Sequence, residues 1–285
     1  MKAKSESIDA VTLGRRAQAR WHLADMQPLA QTPTSTLWRA RHGDFGDVVL
    51  KILTPYGADE GFGFDLMQAA GGPGMARLYA RQGGEGLMEY LPGGALSALV
   101  QAGDDLGAAR VIADLARAIG GASPHGMVPL GQHLQALLQG DFAPLPAPLR
   151  PMLGTAQALC SALLAGEDLR ALHGDLHHDN ILQGPRGWLA IDAKGLVGDP
   201  AYEFANAFRN PRTCPELVRS PARITALAEV FAANSGLKAT RILQWAVAHC
   251  ACSLLWSAQS GDDLAGDKQL LPVLVAAADG RELGR

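Results

Sequence analysis

Three polar side chains stand in an order that chemistry can use: Asp175, then Asn180 five residues on, then Asp192 twelve residues beyond that. Moving a phosphoryl group asks little covalent help of a protein. It asks that an acceptor oxygen be oriented, its proton taken up, and the charge on the phosphates neutralised. An aspartate can accept a hydroxyl proton, and an asparagine with a second aspartate can hold magnesium. Ahead of them in the chain, Lys51 is set in the apolar strand-like run Val48-Val49-Leu50-Lys51-Ile52. Each of these residues alone reads as an ordinary solvated polar group. Their joint order, lysine first and Ile191-Asp192 last, is what chance does not readily supply.

That order resembles the aminoglycoside phosphotransferases, and more closely their streptomycin or hydroxyurea-resistance kinase branch. The matching stretches are Val48 to Ile52, His173-Gly174-Asp175 through Asn180, and Ile191-Asp192-Ala193-Lys194-Gly195-Leu196-Val197-Gly198-Asp199-Pro200-Ala201-Tyr202-Glu203. The branch usually reads I-D-P-K-G-L-V-G-D-P-A-Y-E, so only Ala193 departs. The resemblance implies Asp175 as catalytic base, Asn180 and Asp192 as Mg2+ ligands, and Lys51 as the clamp on the α- and β-phosphates of ATP. It implies an ATP-dependent phosphotransferase acting on a hydroxyl of a small molecule, with an aminoglycoside or aminocyclitol such as streptomycin as the first expectation. A kinase of an endogenous amino-sugar or amino-alcohol is the alternative, and an inactive nucleotide-binding regulatory protein is the rival of a different class.

The residues around this constellation carry further expectations. Lys51 needs an acidic partner, and a helix over Ala58–Ala70 offers Glu60 and Asp65. Glu60 is the better choice, for it has the longer reach and sits where the family usually carries its glutamate. The turn Gln31-Thr32-Pro33-Thr34-Ser35-Thr36-Leu37-Trp38 lacks the glycines of a protein-kinase phosphate loop. Hydroxyls and N–H groups at Thr34, Ser35 and Thr36 can cradle phosphate there, and a plain turn closed by its own hydroxyls competes with that reading. Glu89 and Leu91 stand where the family's hinge meets adenine, and their backbone groups are expected to be unpaired and free to bind it, with Met88 expected in the core. Lys194 is a candidate for approaching phosphate. Asp199 is expected to cap a helix and brace the catalytic loop. His173, His177 and His178 lack the pattern of a zinc site, and His173 is expected to hold the loop by hydrogen bonds.

These residues require elements to position them. A helix up to about Arg20 is followed by strands over Met26–Thr32, Thr36–Arg41 and Val48–Leu53, the last two forming a hairpin across His42 to Asp47. The Ala58–Ala70 helix stops at Gly71-Gly72-Pro73, and strands over Met75–Arg81 and Gly86–Tyr90 precede the breaker Leu91-Pro92-Gly93-Gly94. Helical periodicity then covers Asp104–Ile119, Leu130–Leu138, Pro151–Leu164, Pro221–Ser235, Ala239–Ser257 and Leu264–Ala278, with a loop over Phe142–Pro151. The expected fold is α+β and two-lobed, like protein kinases. Residues 1–91 form a small lobe with a five-stranded antiparallel sheet and one helix, and residues 92–285 a larger, mainly helical lobe with a short β element, the catalytic loop and the substrate pocket.

Composition narrows the partners. The 285 residues are 48% apolar and 19% charged with a net charge of −3, and Lys and Arg form no stripe, so no nucleic-acid partner is expected. No protein partner is inferred. Met1 to Ser7 is polar and lacks a signal-peptide core, and the apolar run Trp245 to Trp256 is shorter than a membrane span and predicts a buried helix. Cys160, Cys214, Cys250 and Cys252 show no zinc or disulfide spacing and predict reduced thiols in a cytoplasmic protein. A protein kinase is disfavoured because no Arg stands beside Asp175 and only six residues separate Asp192 from Asp199, which leaves no room for a long activation segment. Glu203, Asp262, Asp263 and Asp267 are candidates to meet a cationic acceptor, and Trp245 and Trp256 to stack on a sugar; solvated acids and core tryptophans are the competing readings.

Overall fold

The computed structural model describes residues 10–280, so the polar segment Met1 to Ser7 lies outside the described residues. Helix α1 (Ala10–Arg20) leads into strands β1 (Ala24–Gln31), β2 (Ser35–His42) and β3 (Gly46–Leu53). The β2–β3 hairpin runs in register from Ser35 with Leu53 to His42 with Gly46. A 3-10 turn, Pro55–Glu60, precedes α2 (Gly61–Ala70), where a continuous helix from Ala58 is expected. Thr54 caps that turn, its hydroxyl accepting from Gly57 N–H. Strands β4 (Leu78–Gln82) and β5 (Glu85–Glu89) complete an antiparallel sheet of order β1-β2-β3-β5-β4. Strand β4 starts later than the run from Met75 suggests, because Met75 and Ala76 leave the sheet to bond Ala190 instead.

Alternation along β3 sorts the sheet into two faces. Val48, Leu50 and Ile52 pack with Ala17, Leu23, Ala40 and Leu87. Val49 and Lys51 therefore point the other way, into a cavity beneath the sheet.

Beyond the sheet come α3 (Ser97–Gln101), which periodicity does not announce, and α4 (Asp105–Gly120), capped by Asp104. The helix expected over Leu130–Leu138 follows β6 (Val128–Pro129) as two pieces, α5 (Leu130–His133) and α6 (Gln135–Gln139). They separate because Leu134 departs from helical dihedrals, at φ −91 and ψ 14. Next are α7 (Arg150–Leu163), β7 (Arg170–Leu172), β8 (Ile181–Gly184), β9 (Gly187–Ala190) and β10 (Leu196–Gly198). The expected β element is thus two small sheets, β6-β10-β7 and β8-β9. A 3-10 run, Pro200–Arg209, precedes α8 (Pro215–Val218), α9 (Pro221–Ser235), α10 (Ala239–Ser260) and α11 (Ala265–Ala278).

Helix α10 contains the Trp245 to Trp256 run and is apolar around most of its circumference, which suits a helix packed on all sides. Every residue from Trp245 to Leu255 is buried. Among the described residues no helix is long and apolar enough to cross a membrane. Cys160, Cys250 and Cys252 are free and buried, and Cys214 is free and half-buried.

Candidate active site

Strand β3 delivers Lys51 Nζ to 2.7 Å from Glu60 Oε2 and 2.5 Å from Asp192 Oδ1. Asp65, the other acid near α2, pairs with Arg81 instead. Burial works against the Lys51 charge, but Asp192 and Glu60 outweigh it and hold its pKa above the usual value. Burial also works against the Asp192 carboxylate, and Lys51 outweighs it, holding that carboxyl below its ordinary range. Lys194 Nζ lies 3.9 Å from Glu60 Oε1, so the glutamate stands between two lysines.

A close backbone contact brings Asp192 to this cluster. A Cβ on Gly63 would stand 2.1 Å from the Ala193 carbonyl oxygen, and one on Gly195 2.1 Å from that of Phe62. Asp192 itself sits at φ 62, a left-handed conformation that costs a non-glycine residue about 1–3 kcal/mol and persists only where its surroundings enforce it. Gly63→Ala should therefore part α2 from residues 193–195, loosen Glu60 and Lys51 from Asp192, and lower kcat/KM by about tenfold or more. Gly154→Ala, where an added Cβ meets nothing within 4 Å, is the control that should leave the rate alone. Equal steady-state rates for the two variants would show that the contact yields without consequence.

Asp175 and Asn180 lie on the loop between β7 and β8. Glu203 reaches beneath that loop and accepts from the N–H groups of His173 at 3.0 Å and Gly174 at 3.3 Å. Burial pushes the Glu203 carboxyl up to about 8, with those two donors working against the shift. Asp199 caps the Pro200–Arg209 run through Ala201 N–H at 2.9 Å, and its other oxygen accepts from Trp245 Nε1 at 2.6 Å and Arg241 Nε at 2.7 Å. The cap is as expected, but the other partners of Asp199 lie on α10 and not on the loop that carries Asp175. Asn180 Nδ2 donates to the Asp175 carbonyl at 3.0 Å and to Asp175 Oδ2 at 3.3 Å.

His173 is fully buried, with Nε2 2.8 Å from the Ile191 carbonyl and Nδ1 accepting from Asp175 N–H at 3.2 Å. Those partners select the neutral tautomer with its proton on Nε2. Burial holds its pKa down to about 4. Because the folded value lies below the unfolded one near 6.5, the associated stability is complete above that pH and is lost as pH falls toward 4. The loss from His173 alone should be about 2 kcal/mol between pH 6.5 and 5. Urea titrations of wild type and His173→Gln at the two pH values test this. The variant should be less stable at the higher pH yet lose less on acidification, and identical losses would refute the assignment.

Two cavities flank the cluster. One of about 430 Å³ lies under the sheet, lined by Ser35, Leu37, Val49, Lys51, Met88, Glu89, Leu91, Asn180, Leu182 and Asp192 among others. Met88, expected in the core, thus shows a half-buried face to this cavity. Ser35 lines it, but Thr36 does not: strand alternation turns it to the opposite face. In the turn, Thr32 Oγ1 accepts from Ser35 N–H at 3.0 Å and lies 3.0 Å from Thr34 Oγ1. The hydroxyls therefore close the turn while Thr32, Thr34 and Ser35 also border the cavity. At the sheet's end Glu89 N–H donates to the Arg77 carbonyl at 2.9 Å, so this N–H is not free as expected. The second cavity, about 720 Å³, is bordered by Asp175, Lys194, Asn206 and Arg209.

The donor set fits magnesium. It comprises one carboxylate, Asp192, whose side chain is 44% exposed, and one amide, Asn180, whose nitrogen is turned toward Asp175 so that its oxygen faces away. Few protein oxygens suffice for an ion that keeps several waters and takes others from phosphates. No group of three or more His, Cys, Asp or Glu that could hold a metal occurs among the described residues.

A family profile described as aminoglycoside/hydroxyurea antibiotic resistance kinase matches residues 20–261. The chain belongs to this family. Streptomycin 3''-kinase of Klebsiella pneumoniae is 34% identical over 245 residues, 83% of this chain and 89% of the relative. Hydroxyurea phosphotransferase of Kitasatospora aureofaciens is 32% identical over 253 residues, 85% of this chain and 72% of the relative. A ternary complex of a thermostable mutant of aminoglycoside phosphotransferase APH(4)-Ia with ADP and hygromycin B matches with TM-score 0.66 at 15% identity, over 95% of this chain and 99% of that one. At that identity the likeness is one of fold. The protein is a small-molecule kinase with the two-lobed α+β fold expected.

The kinase departs from expectation chiefly on the wall of its larger cavity. Glu203 is buried under the loop that carries Asp175 and does not line this cavity. Asp267 pairs with Arg209 at 2.7 Å, while Asp262 and Asp263 border a separate cavity with Arg212 and Arg219. Trp245 is fully buried and bonded to Asp199. Trp256 does line the cavity, its ring centroid 5.0 Å from that of His133. Sequence reading misses Asp59, Gln132, His133, Asn206, Arg209 and His249 there. They come from four elements far apart in the chain, the Pro55–Glu60 turn, α5, the Pro200–Arg209 run and α10, and no sequence signal connects these.

Proposed function

We propose that this kinase transfers the γ-phosphoryl group of Mg-ATP to a hydroxyl of an aminoglycoside or aminocyclitol of the streptomycin kind, an antibiotic-resistance activity. The observation that carries it is the juncture of the two cavities: Asn180 lines the smaller, and Asp175, hydrogen-bonded to it, lines the larger. ATP occupies the smaller cavity, with Glu89 and Leu91 at its adenine end, Ser35 near the phosphates and the hinge between lobes at residues 91 and 92. Lys51, held by Glu60, grips the α- and β-phosphates, and Lys194 approaches from the other side of Glu60. Magnesium, when bound by Asn180 and Asp192, neutralises charge on the phosphates. Asp175 takes the acceptor hydroxyl's proton as the acceptor oxygen bonds to the γ-phosphorus, the bond from that phosphorus to the β,γ-bridging oxygen breaks, and ADP leaves.

Relatives support the acceptor class: besides the Klebsiella enzyme, streptomycin 6-kinase of Streptomyces griseus is 30% identical over 206 residues. A cavity of about 720 Å³ suits a multi-ring substrate better than hydroxyurea or an amino-alcohol. Buried thiols held to about 11 at Cys160 and about 12 at Cys252 are unreactive and suit the cytoplasm. The test is ATP consumption with streptomycin, hydroxyurea and ethanolamine as acceptors. Streptomycin should exceed the others in kcat/KM by about tenfold or more. Preference for ethanolamine would restore the amino-alcohol reading, and tight Mg-ATP binding without turnover the regulatory one.

A further inference from the structure

The carboxylate of Asp175 is held at both oxygens by amides. Asn180 donates to Oδ2 at 3.3 Å, and Asn206 Nδ2 donates to Oδ1 at 2.6 Å. Asn206 lies beyond the last residue that resembles the family stretch and stands on the Pro200–Arg209 run. Its own oxygen has two partners, Arg209 Nη1 at 3.1 Å and Asn210 Nδ2 at 3.1 Å. That settles which end of the amide faces the base, because the reversed amide would set oxygen against carboxylate and nitrogen against two donors. Arg209 is in turn fixed as a fork: Nε to Asp267 Oδ1 at 2.9 Å, and Nη2 to Asp267 Oδ2 at 2.7 Å and Ser253 Oγ at 2.5 Å. Asn206, Arg209 and Asn210 are all buried, at 6%, 8% and 4% exposure. A buried chain of donors anchored by a bidentate ion pair has one geometry, and it ends on Asp175.

We infer that Asn206 is the positioning residue of the base, and that Asp267 on α11 and Ser253 on α10 hold it to that task through Arg209. The inference rests on the transfer reading above. It gives α10, which borders the acceptor cavity, and α11, which packs against α10, a direct mechanical link to the reacting atoms. It also gives Asp267 an internal role in place of contact with a cationic acceptor.

A double-mutant cycle with streptomycin and Mg-ATP tests it. Asn206→Ala should lower kcat by about tenfold while the KM for ATP stays within about twofold. In an Asp175→Asn background the same change should cost less than about twofold, because the group it positions is already gone. Asp267→Asn, which keeps the shape and weakens the fork, should give a smaller loss with the same dependence on Asp175, and it covers the case in which Asn206→Ala does not fold. Equal losses in both backgrounds, or no loss in either, would overturn the inference. If the wild type phosphorylates no acceptor, the transfer reading has failed, and the cycle is then read on Mg-ATP hydrolysis with water as acceptor.

Discussion

Asp175→Asn should lower kcat by on the order of a hundredfold or more while Mg-ATP affinity stays within a few-fold. The substitution keeps the side chain's shape between Asn180 and Asn206 and removes only the charge and the proton-accepting oxygen. A hundredfold corresponds to about 2.7 kcal/mol of transition-state stabilisation. Burial raises the Asp175 pKa above the usual aspartate value, with Asp192 adding to the rise and His177, Lys194 and Arg209 opposing it. The base must be ionised to work, so activity should fall on the acid side at a higher pH than an exposed aspartate would give. A turnover near wild type with a productive acceptor would remove Asp175 from the mechanism.

Asp192→Ala should be at least as damaging, and at a different step. The residue is the proposed magnesium donor and pairs with Lys51 at 2.5 Å, so its loss leaves the lysine with Glu60 alone. The expected outcome is a fall in kcat of about a hundredfold to a thousandfold. Magnesium should also cease to strengthen ATP binding. Calorimetry with and without the metal separates the two effects. Unchanged affinity and turnover in the variant, with ATP binding the wild type equally well in both conditions, would refute the metal site.

The meeting of Lys51, Glu60 and Asp192 was legible because the order of a strand lysine, a helix-start acid and an Ile-Asp pair resembles that of the family. Glu60 over Asp65 followed from reach, and Asp199 as a cap from its place before Pro200. The strands were legible from alternation, except where Met75 and Ala76 leave the sheet for Ala190, a tertiary contact with no local signature. The break at Leu134 was equally hidden, since its apolar spacing continues through it. Glu203 and Asp267 look like solvated acids in sequence and are internal braces in the fold, each defined by a partner far along the chain. Asn206 escaped notice for the same reason. Nothing near it in the chain announces that its amide meets Asp175.

The most direct measurement follows the phosphoryl group itself, with ATP labelled at the γ-phosphorus, magnesium and streptomycin. The account predicts label in streptomycin as a phosphate ester on a hydroxyl, dependent on magnesium and lost with Asp175→Asn. Label that stays in ATP, or appears only as inorganic phosphate, would contradict it.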